Sequence, residues 1–112
     1  MKSKIIGCVS VSNVMDDFYR KIKWKVKSEN SLYVHRLAIN PKFQGRGFAK
    51  FMMNYIEYIA EKSKAFSIRL DTFSLNEKNN NLYYKLGYIE LGQIYFRDQS
   101  DMPFNCYEKL LK

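Results

Sequence analysis

Residues 32–50 read LYVHRLAINPKFQGRGFAK, and this stretch decides the fold. A nearly unbroken apolar run, Leu32 to Ile39, stops at Asn40-Pro41. A glycine-containing loop follows, and an amphipathic segment starts at once. Strand, loop and helix in that order make a cradle for pyrophosphate. Unpaired backbone N–H groups converge at the helix N-terminus, where the dipole adds about half a positive charge. Gly45 and Gly47 let the backbone approach phosphates with no Cβ in the way, and Arg46 adds a cation. The loop is expected to bind a phosphorylated cofactor.

Spacing narrows the choice of cofactor. A Walker A loop needs Gly-x4-Gly-Lys-Ser/Thr, and the chain holds no such run. The dinucleotide fingerprint needs a third glycine where Lys50 stands. Gln44-Gly45-Arg46-Gly47-Phe48-Ala49 instead resembles the Arg/Gln-x-x-Gly-x-Gly/Ala signature of the GNAT superfamily of acetyl-CoA-dependent N-acetyltransferases. The flanks agree with it: His35-Arg36-Leu37-Ala38-Ile39-Asn40-Pro41 before the loop, and Asn76 with Leu82-Tyr83-Tyr84-Lys85-Leu86-Gly87-Tyr88 after it. Short glycine loops recur by chance, so the strength lies in three segments in order and correctly spaced. The resemblance spans residues 4 to 111.

That resemblance implies an α/β fold, a mixed central sheet with flanking helices, and acetyl transfer from acetyl-CoA to an amine by direct attack in a ternary complex. In the family the strand before the loop splays from the next parallel strand, and the pantetheine arm lies in the resulting V against backbone groups. Those map to Leu37, Ala38 and Ile39, while the pyrophosphate maps to Gln44, Gly45, Arg46, Gly47, Phe48, Ala49 and Lys50. Asn76 matches an asparagine that contacts the pantetheine arm, and equally reads as a helix N-cap. Tyr83 matches the tyrosine that sits near the coenzyme sulfur, where it binds the cofactor and acts as the general acid. Read without the family it is a core tyrosine on a short helix. Tyr84 lies about 100° further round, so the two cannot share one cleft.

Acetyl transfer also needs a base for the amine. His35 is the only histidine, and an imidazole accepts a proton near neutral pH. By strand alternation it shares a face with Leu37. Some family members carry a basic residue here; others use water or a carboxylate, which leaves Asp71, Asp16 and Asp17 open. A lone histidine in a strand is as readily structural. Tyr19, Ile22 and Trp24 match a Tyr-x-x-Ile-x-Trp pattern that related sequences place beside the acceptor, and they read equally as aromatic packing.

Composition fits one domain over residues 1–112. Hydrophobic residues at 46% and aromatics at 16% argue against disorder, and no apolar run reaches the ~18 residues of a membrane span. The basic N-terminus, MKSKIIGCVSVSN, lacks a cleavage pattern and reads as a strand, not a signal peptide. Cys8 and Cys106 stand alone without metal-ligand spacing, so no metal is expected, and both read as buried free thiols of a cytoplasmic protein. Net charge of +8 suits the phosphates of the coenzyme and also nucleic acid. The one local cluster, Arg20 to Lys27, alternates basic with apolar residues, which reads as a strand with a solvated cationic face, so nucleic acid is not the expected partner.

The pass along the chain gives strands at Ile5–Ser12, Lys21–Lys27 (an edge), Leu32–Ile39, Phe66–Thr72, Ile89–Phe96 and Phe104–Leu111. Helices are expected from Gly47 to Lys64 and from Asn79 to Leu86, the second stopped by Gly87. Phe48, Met52, Tyr55, Ile56 and Ile59 form the first helix's apolar stripe, opposite Lys50, Asn54, Glu57, Glu61 and Lys64. Phe66–Thr72 is expected to run parallel to the strand before the helix, as a right-handed crossover. Against a typical family member, a first strand and two helices are missing from the front. Two expectations follow. One is a homodimer using the apolar side chains of Phe18, Tyr19, Trp24, Phe96 and Phe104. The other, an alternative to the enzyme, is a non-catalytic acyl-CoA-binding or partner-docking remnant.

Overall fold

The computed structural model describes residues 7–27, 30–96, 98 and 100–111. Its strands are β1 (Gly7–Ser12), β2 (Ser31–Ile39), β3 (Ser67–Phe73), β4 (Ile89–Ile94) and β5 (Phe104–Leu110). Its helices are α1 (Phe48–Lys62), between β2 and β3, and α2 (Glu77–Lys85), between β3 and β4. The five strands form one mixed sheet in the order β1-β2-β3-β5-β4. Only β2 and β3 run parallel; every other neighbouring pair is antiparallel. This is the mixed α/β architecture the sequence implied. Ile5 and Ile6, the turn residues Ser28 and Glu29, and Arg97 of the last loop lie outside the described residues.

The helical face holds one core. Met53, Ile56 and Ala60 of α1 pack with Val34, Ile68, Leu70, Tyr83, Tyr88 and Tyr107. The α1 stripe therefore sits about one residue round from the expected one. Tyr55 is exposed, whereas Glu57 turns inward and bonds Lys109 at 2.8 Å and the Tyr88 hydroxyl at 3.3 Å.

The opposite face differs most from expectation. Lys21–Lys27 is not a strand: a 3₁₀ turn over Asp17–Lys21 leads into irregular backbone. The expected alternation survives, with the lysines exposed and Ile22, Trp24 and Val26 half-buried. What fails is the sheet pairing. The segment's backbone bonds go instead to two buried side chains of the sheet below it. The Lys25 N–H donates to Glu108 Oε1 at 2.6 Å, and Arg69 Nη2 donates to the Val26 carbonyl. Arg69 and Glu108 pair at 2.9 Å with almost no exposure. Ser67 adds a hydroxyl to Glu108 at 2.7 Å, and the Tyr33 hydroxyl accepts from Arg69 at 2.7 Å. The Arg69 guanidinium lies 4.7 Å from the Trp24 ring centre. A buried charge pair is tolerated only when its remaining donors and acceptors are met, and this segment meets them.

A second core follows, of Tyr19, Tyr33, Ile94 and Cys106 with Trp24, Phe96 and Phe104 packed on it. Tyr19 is 2% exposed, so of the five side chains expected to offer apolar surface to a second copy, only Phe18 stands exposed. Cys8 is exposed and Cys106 buried, both free thiols. The expectation of two buried thiols is corrected at Cys8.

Candidate functional site

The site is created by a defect in strand pairing. β1 and β2 pair in register from Gly7–Ile39 to Ser10–Arg36, then resume at Val11–Val34. His35 is the residue skipped. A bulge bends its strand and increases its local twist, and here the bend coincides with a parting of strands. β2 and β3 pair from Ser31–Ser67 to Val34–Leu70 and no further, while β3 continues along β5 to Phe73. From His35 to Ile39, β2 keeps a partner on one side only. Among the described residues no strand pairs with its other edge.

The bulge also corrects the expected shared face of His35 and Leu37. Leu37 packs on the helical core with Val34, three residues away. The exposed His35 turns instead to Ser12, whose Oγ is 2.6 Å from its Nε2.

A cleft of about 430 Å³ occupies the space between the parted strands and the helices. Leu37, Ala38 and Ile39 form one wall; Gln44, Gly45 and Gly47 close one end, with Phe48, Ala49 and Lys50 at the start of α1. Gly45 and Gly47 have φ of +80° and +83°, left-handed backbone that suits glycine. Gly47 caps α1 with no side-chain bond, so the first-turn N–H groups keep no side-chain partner from the cap. Gln44 Nε2 donates to the Ile39 carbonyl at 3.1 Å, tying the loop to the strand end. Arg46 does not line this cleft; its guanidinium lies 5.6 Å from the Phe43 ring centre. Among the cleft residues, sequence reasoning missed Phe43 and, on the opposite wall, Lys78, Asn79 and Leu82. The α2 residues follow Asn76 at helical spacing, a signal that could have found them.

Asn76 lines the cleft. It is the N-cap of α2, as its sequence position allowed, and its Oδ1 accepts the Asn79 N–H at 3.0 Å. Asn80 fixes that helix. Its Nδ2 donates to the Phe73 carbonyl at 3.1 Å, and its Oδ1 accepts from Asn105 at 2.9 Å and Tyr107 at 2.5 Å. Tyr83 does not line the cleft either. It lies in the core beneath, 3% exposed, with its ring against Tyr88 and Tyr107. Burial first, then the charge of Asp71 and Tyr107, pushes its hydroxyl up to about 12. Tyr84, next along the helix, is 77% exposed.

Asp71 stands at the apex of the V. It is the first residue of β3 past the last pairing with β2, opposite Cys106 of β5. Leu70 beside it belongs to the helical core, so Asp71 points to the other face. There the Tyr19 hydroxyl donates to its Oδ2 at 2.5 Å. Burial holds the Asp71 carboxyl above the ordinary carboxylate range. The Tyr19 hydrogen bond and His35 work against that shift, and Asp16 adds to it. Asp16 and Asp17 are exposed. Asp16 caps the 3₁₀ turn through the Phe18 N–H at 2.9 Å, and Asp17 pairs with Arg20 at 3.0 Å. Of the three carboxylates left open by the sequence, only Asp71 sits where the strands part.

Comparison with known proteins agrees with this geometry. Residues 2–88 match the model of the acetyltransferase (GNAT) family. The uncharacterized N-acetyltransferase YesJ of Bacillus subtilis (strain 168) is 31% identical over 67 residues, which make up 57% of this chain but 36% of YesJ. A solved Staphylococcus aureus Mu50 protein superposes with a TM-score of 0.75 at 28% identity, over 97% of this chain and 66% of its own. A chain of the NatC complex bound to Gag peptide and CoA superposes with a TM-score of 0.74, over 96% of this chain and 62% of its own. At 22% identity that likeness concerns the fold alone. The chain thus spans about a third of the curated relative it matches. By its matching residues and its splayed sheet, the chain belongs to the acetyltransferase (GNAT) family.

Proposed function

We propose that this protein transfers an acetyl group from acetyl-CoA to a primary amine, the two reactants meeting in one ternary complex at the apex of the splayed strands. The observation that carries this reading is the end of β2–β3 pairing at Val34–Leu70, with a cleft on one side of the gap and Asp71 on the other. The family supports acyl transfer in general, and one neighbour of the same fold was solved with CoA.

The cleft fits the coenzyme. Its strand edge at Leu37 and Ala38, unpaired with β3, would offer amide partners to a pantetheine arm. Its two left-handed glycines and the open α1 N-terminus suit pyrophosphate, and Lys50 and Lys78 line it as cations. Bound there, acetyl-CoA would supply the activated acyl group as a thioester.

The protein's own residues then move protons. Asp71 takes one from the acceptor ammonium, leaving a neutral amine whose lone pair attacks the carbonyl carbon. A carboxyl raised by burial is a better acceptor near neutral pH than an ordinary one. Tyr83, held near 12, keeps its proton throughout the neutral range. Full transfer from it to a thiolate, which ordinarily titrates near ~8.5, runs uphill. Tyr83 also lies in the core beneath the cleft and does not line it, so solvent protonates the departing thiolate. The general-acid role that the family resemblance implies for Tyr83 would need the coenzyme sulfur to reach the buried core.

The test is mass spectrometry of a panel of small amines, peptide N-termini and lysine peptides incubated with acetyl-CoA. Acetylated product is expected with the wild type. Asp71→Asn should lower the rate by roughly 10²–10⁴-fold, the range of a positioned base, while calorimetry shows unchanged CoA affinity. Tight CoA binding with no product across the panel would overturn the reading in favour of a non-catalytic acyl-CoA binder.

A further inference from the structure

The connection between β1 and β2 does more than cover the sheet. Trp24 Nε1 donates to the Tyr19 carbonyl at 2.9 Å, and the Trp24 ring rests on the Arg69 guanidinium. Arg69 of β3 and Glu108 of β5 hold the backbone at Val26 and Lys25. The rings of Tyr19 and Trp24 lie 5.3 Å apart, and Tyr19 also packs on Tyr33 at 5.8 Å. The outcome of these contacts is a single placement: the Tyr19 hydroxyl, 2% exposed as a residue, lies 2.5 Å from Asp71 Oδ2. No catalytic need of the cofactor cleft explains that contact, because Tyr19 lies on the face away from it.

We propose that Tyr19 is the positioning residue of Asp71: anchored through Trp24 to the Arg69–Glu108 pair, it holds one carboxylate oxygen so that the other, Oδ1, takes the acceptor's proton. The inference rests on the acetyltransferase reading above, with Asp71 as base. The proton balance is simple. The acceptor ammonium loses a proton, Oδ1 gains it, and the Tyr19 O–H stays intact as the donor to Oδ2. Tyr19 is suited to stay intact, since burial and the neighbouring Asp71 charge drive its own titration far above the neutral range.

The groups facing Asp71 come from each element around it: Tyr19 and Asp16 from the connection, His35 from β2, Cys106 from β5 and Tyr83 from α2. Cys106 is pushed up to about 12 by burial and then by Asp71 and Glu90, so it stays a neutral thiol. Of these groups Tyr19 is the one in hydrogen-bond contact with the carboxylate. Removing its hydroxyl removes an influence that favours the charged carboxylate, so Asp71 should titrate higher still.

The experiment is an NMR titration of the Asp71 carboxyl carbon in the whole chain, with the resonance assigned by its loss in Asp71→Asn. It is paired with the pH profile of kcat/KM for acetyl-CoA and the best amine of the panel. In Tyr19→Phe, which keeps the ring, the Asp71 midpoint and the acid limb of the profile are both expected to move to higher pH. Activity on that limb should fall roughly ten- to hundredfold, the scale of one hydrogen bond to a charged group. Calorimetric CoA affinity should not change, which a general loss of structure would alter. In the wild type itself, a slowly exchanging, downfield hydroxyl proton should vanish from its shifted position as Asp71 protonates. An acid limb lost in Asp71→Asn but unmoved in Tyr19→Phe would overturn this inference alone. A limb that survives Asp71→Asn would remove the base assignment and the inference together.

Discussion

The two faces of the sheet are built by different means. On the helical face, one wall of the cleft is contiguous in sequence: β2, the loop at Gly45 and Gly47, and the first turn of α1 follow one another without a gap. On the other face, 83 residues separate Lys25 from Glu108, and 52 separate Tyr19 from Asp71. The first region is specified by local backbone chemistry. The second is assembled by side chains reaching across the sheet, so it stands or falls with a few buried polar contacts. Substitutions in the second region should therefore damage stability, and those in the first should damage ligand binding while sparing the fold.

The largest expected effect tests that contrast at Glu108. Its carboxylate accepts from Arg69, Ser67 and the Lys25 N–H, and the residue is fully buried. Glu108→Ala would strand the Arg69 guanidinium, which is 1% exposed as a residue, without its partner. Breaking a buried pair in this way costs about 3–5 kcal/mol. Urea denaturation should show that loss, and hydrogen exchange should show residues 22–27 losing protection first. A loss below about 1 kcal/mol, the median of exposed pairs, would mean that solvent reaches the pair and that the connection is held by other means.

Gly47 tests the other half. A Cβ there would meet no atom within 4 Å, so space is not the obstacle. The obstacle is its φ of +83°, which costs a side-chain residue about 1–2 kcal/mol. Gly47→Val should still fold, yet it should either rotate the cap or set a branched side chain against the ligand. CoA affinity should fall at least tenfold, equivalent to ~1.4 kcal/mol, as read by calorimetry. Equal affinity in a folded Gly47→Val protein would break the comparison, because the loop would then not be the phosphate cradle.

Legibility in sequence divides along the same line. Strand β2, both helices, the two final strands and the glycine cradle are visible because their signals are local: apolar runs, helical periodicity, glycines and caps. The parallel β2–β3 pair also follows from the intervening helix. Lys21–Lys27 misleads because period-two alternation reports which side chains turn inward, and says nothing of what the backbone bonds to. Here the acceptors and donors are Glu108 and Arg69, and no local pattern announces a buried ion pair. His35 misleads about Leu37 for a related reason. A bulge breaks alternation, and its position depends on the register with β1. Asp71 is one of three carboxylates the sequence leaves open, and only the parting of the strands distinguishes it.

The smallest effect expected is also the one with the clearest sign. Asp71 is held above the ordinary carboxylate range, first by burial, with the Tyr19 hydrogen bond opposing that shift without cancelling it. A group whose folded value is raised contributes stability in its protonated form. That contribution is fully present below the unfolded value, about 3.9 for an aspartate, and is lost as pH rises through the folded value. At neutral pH the wild type therefore folds with a carboxylate in a place that disfavours its charge. Asp71→Asn removes the charge and keeps an oxygen that can accept from Tyr19. The variant should be the more stable protein at pH 7, and its advantage should shrink as pH falls towards the unfolded value. Urea titrations of both proteins across that interval isolate the effect, because every other group is common to the two. A pH-independent difference, or a variant less stable at pH 7, would show that Asp71 rests comfortably as an anion. The same variant that disables the proposed base would then carry no gain in stability. In that case the apex would be a structural contact of the acceptor face instead of a site kept at the expense of the fold.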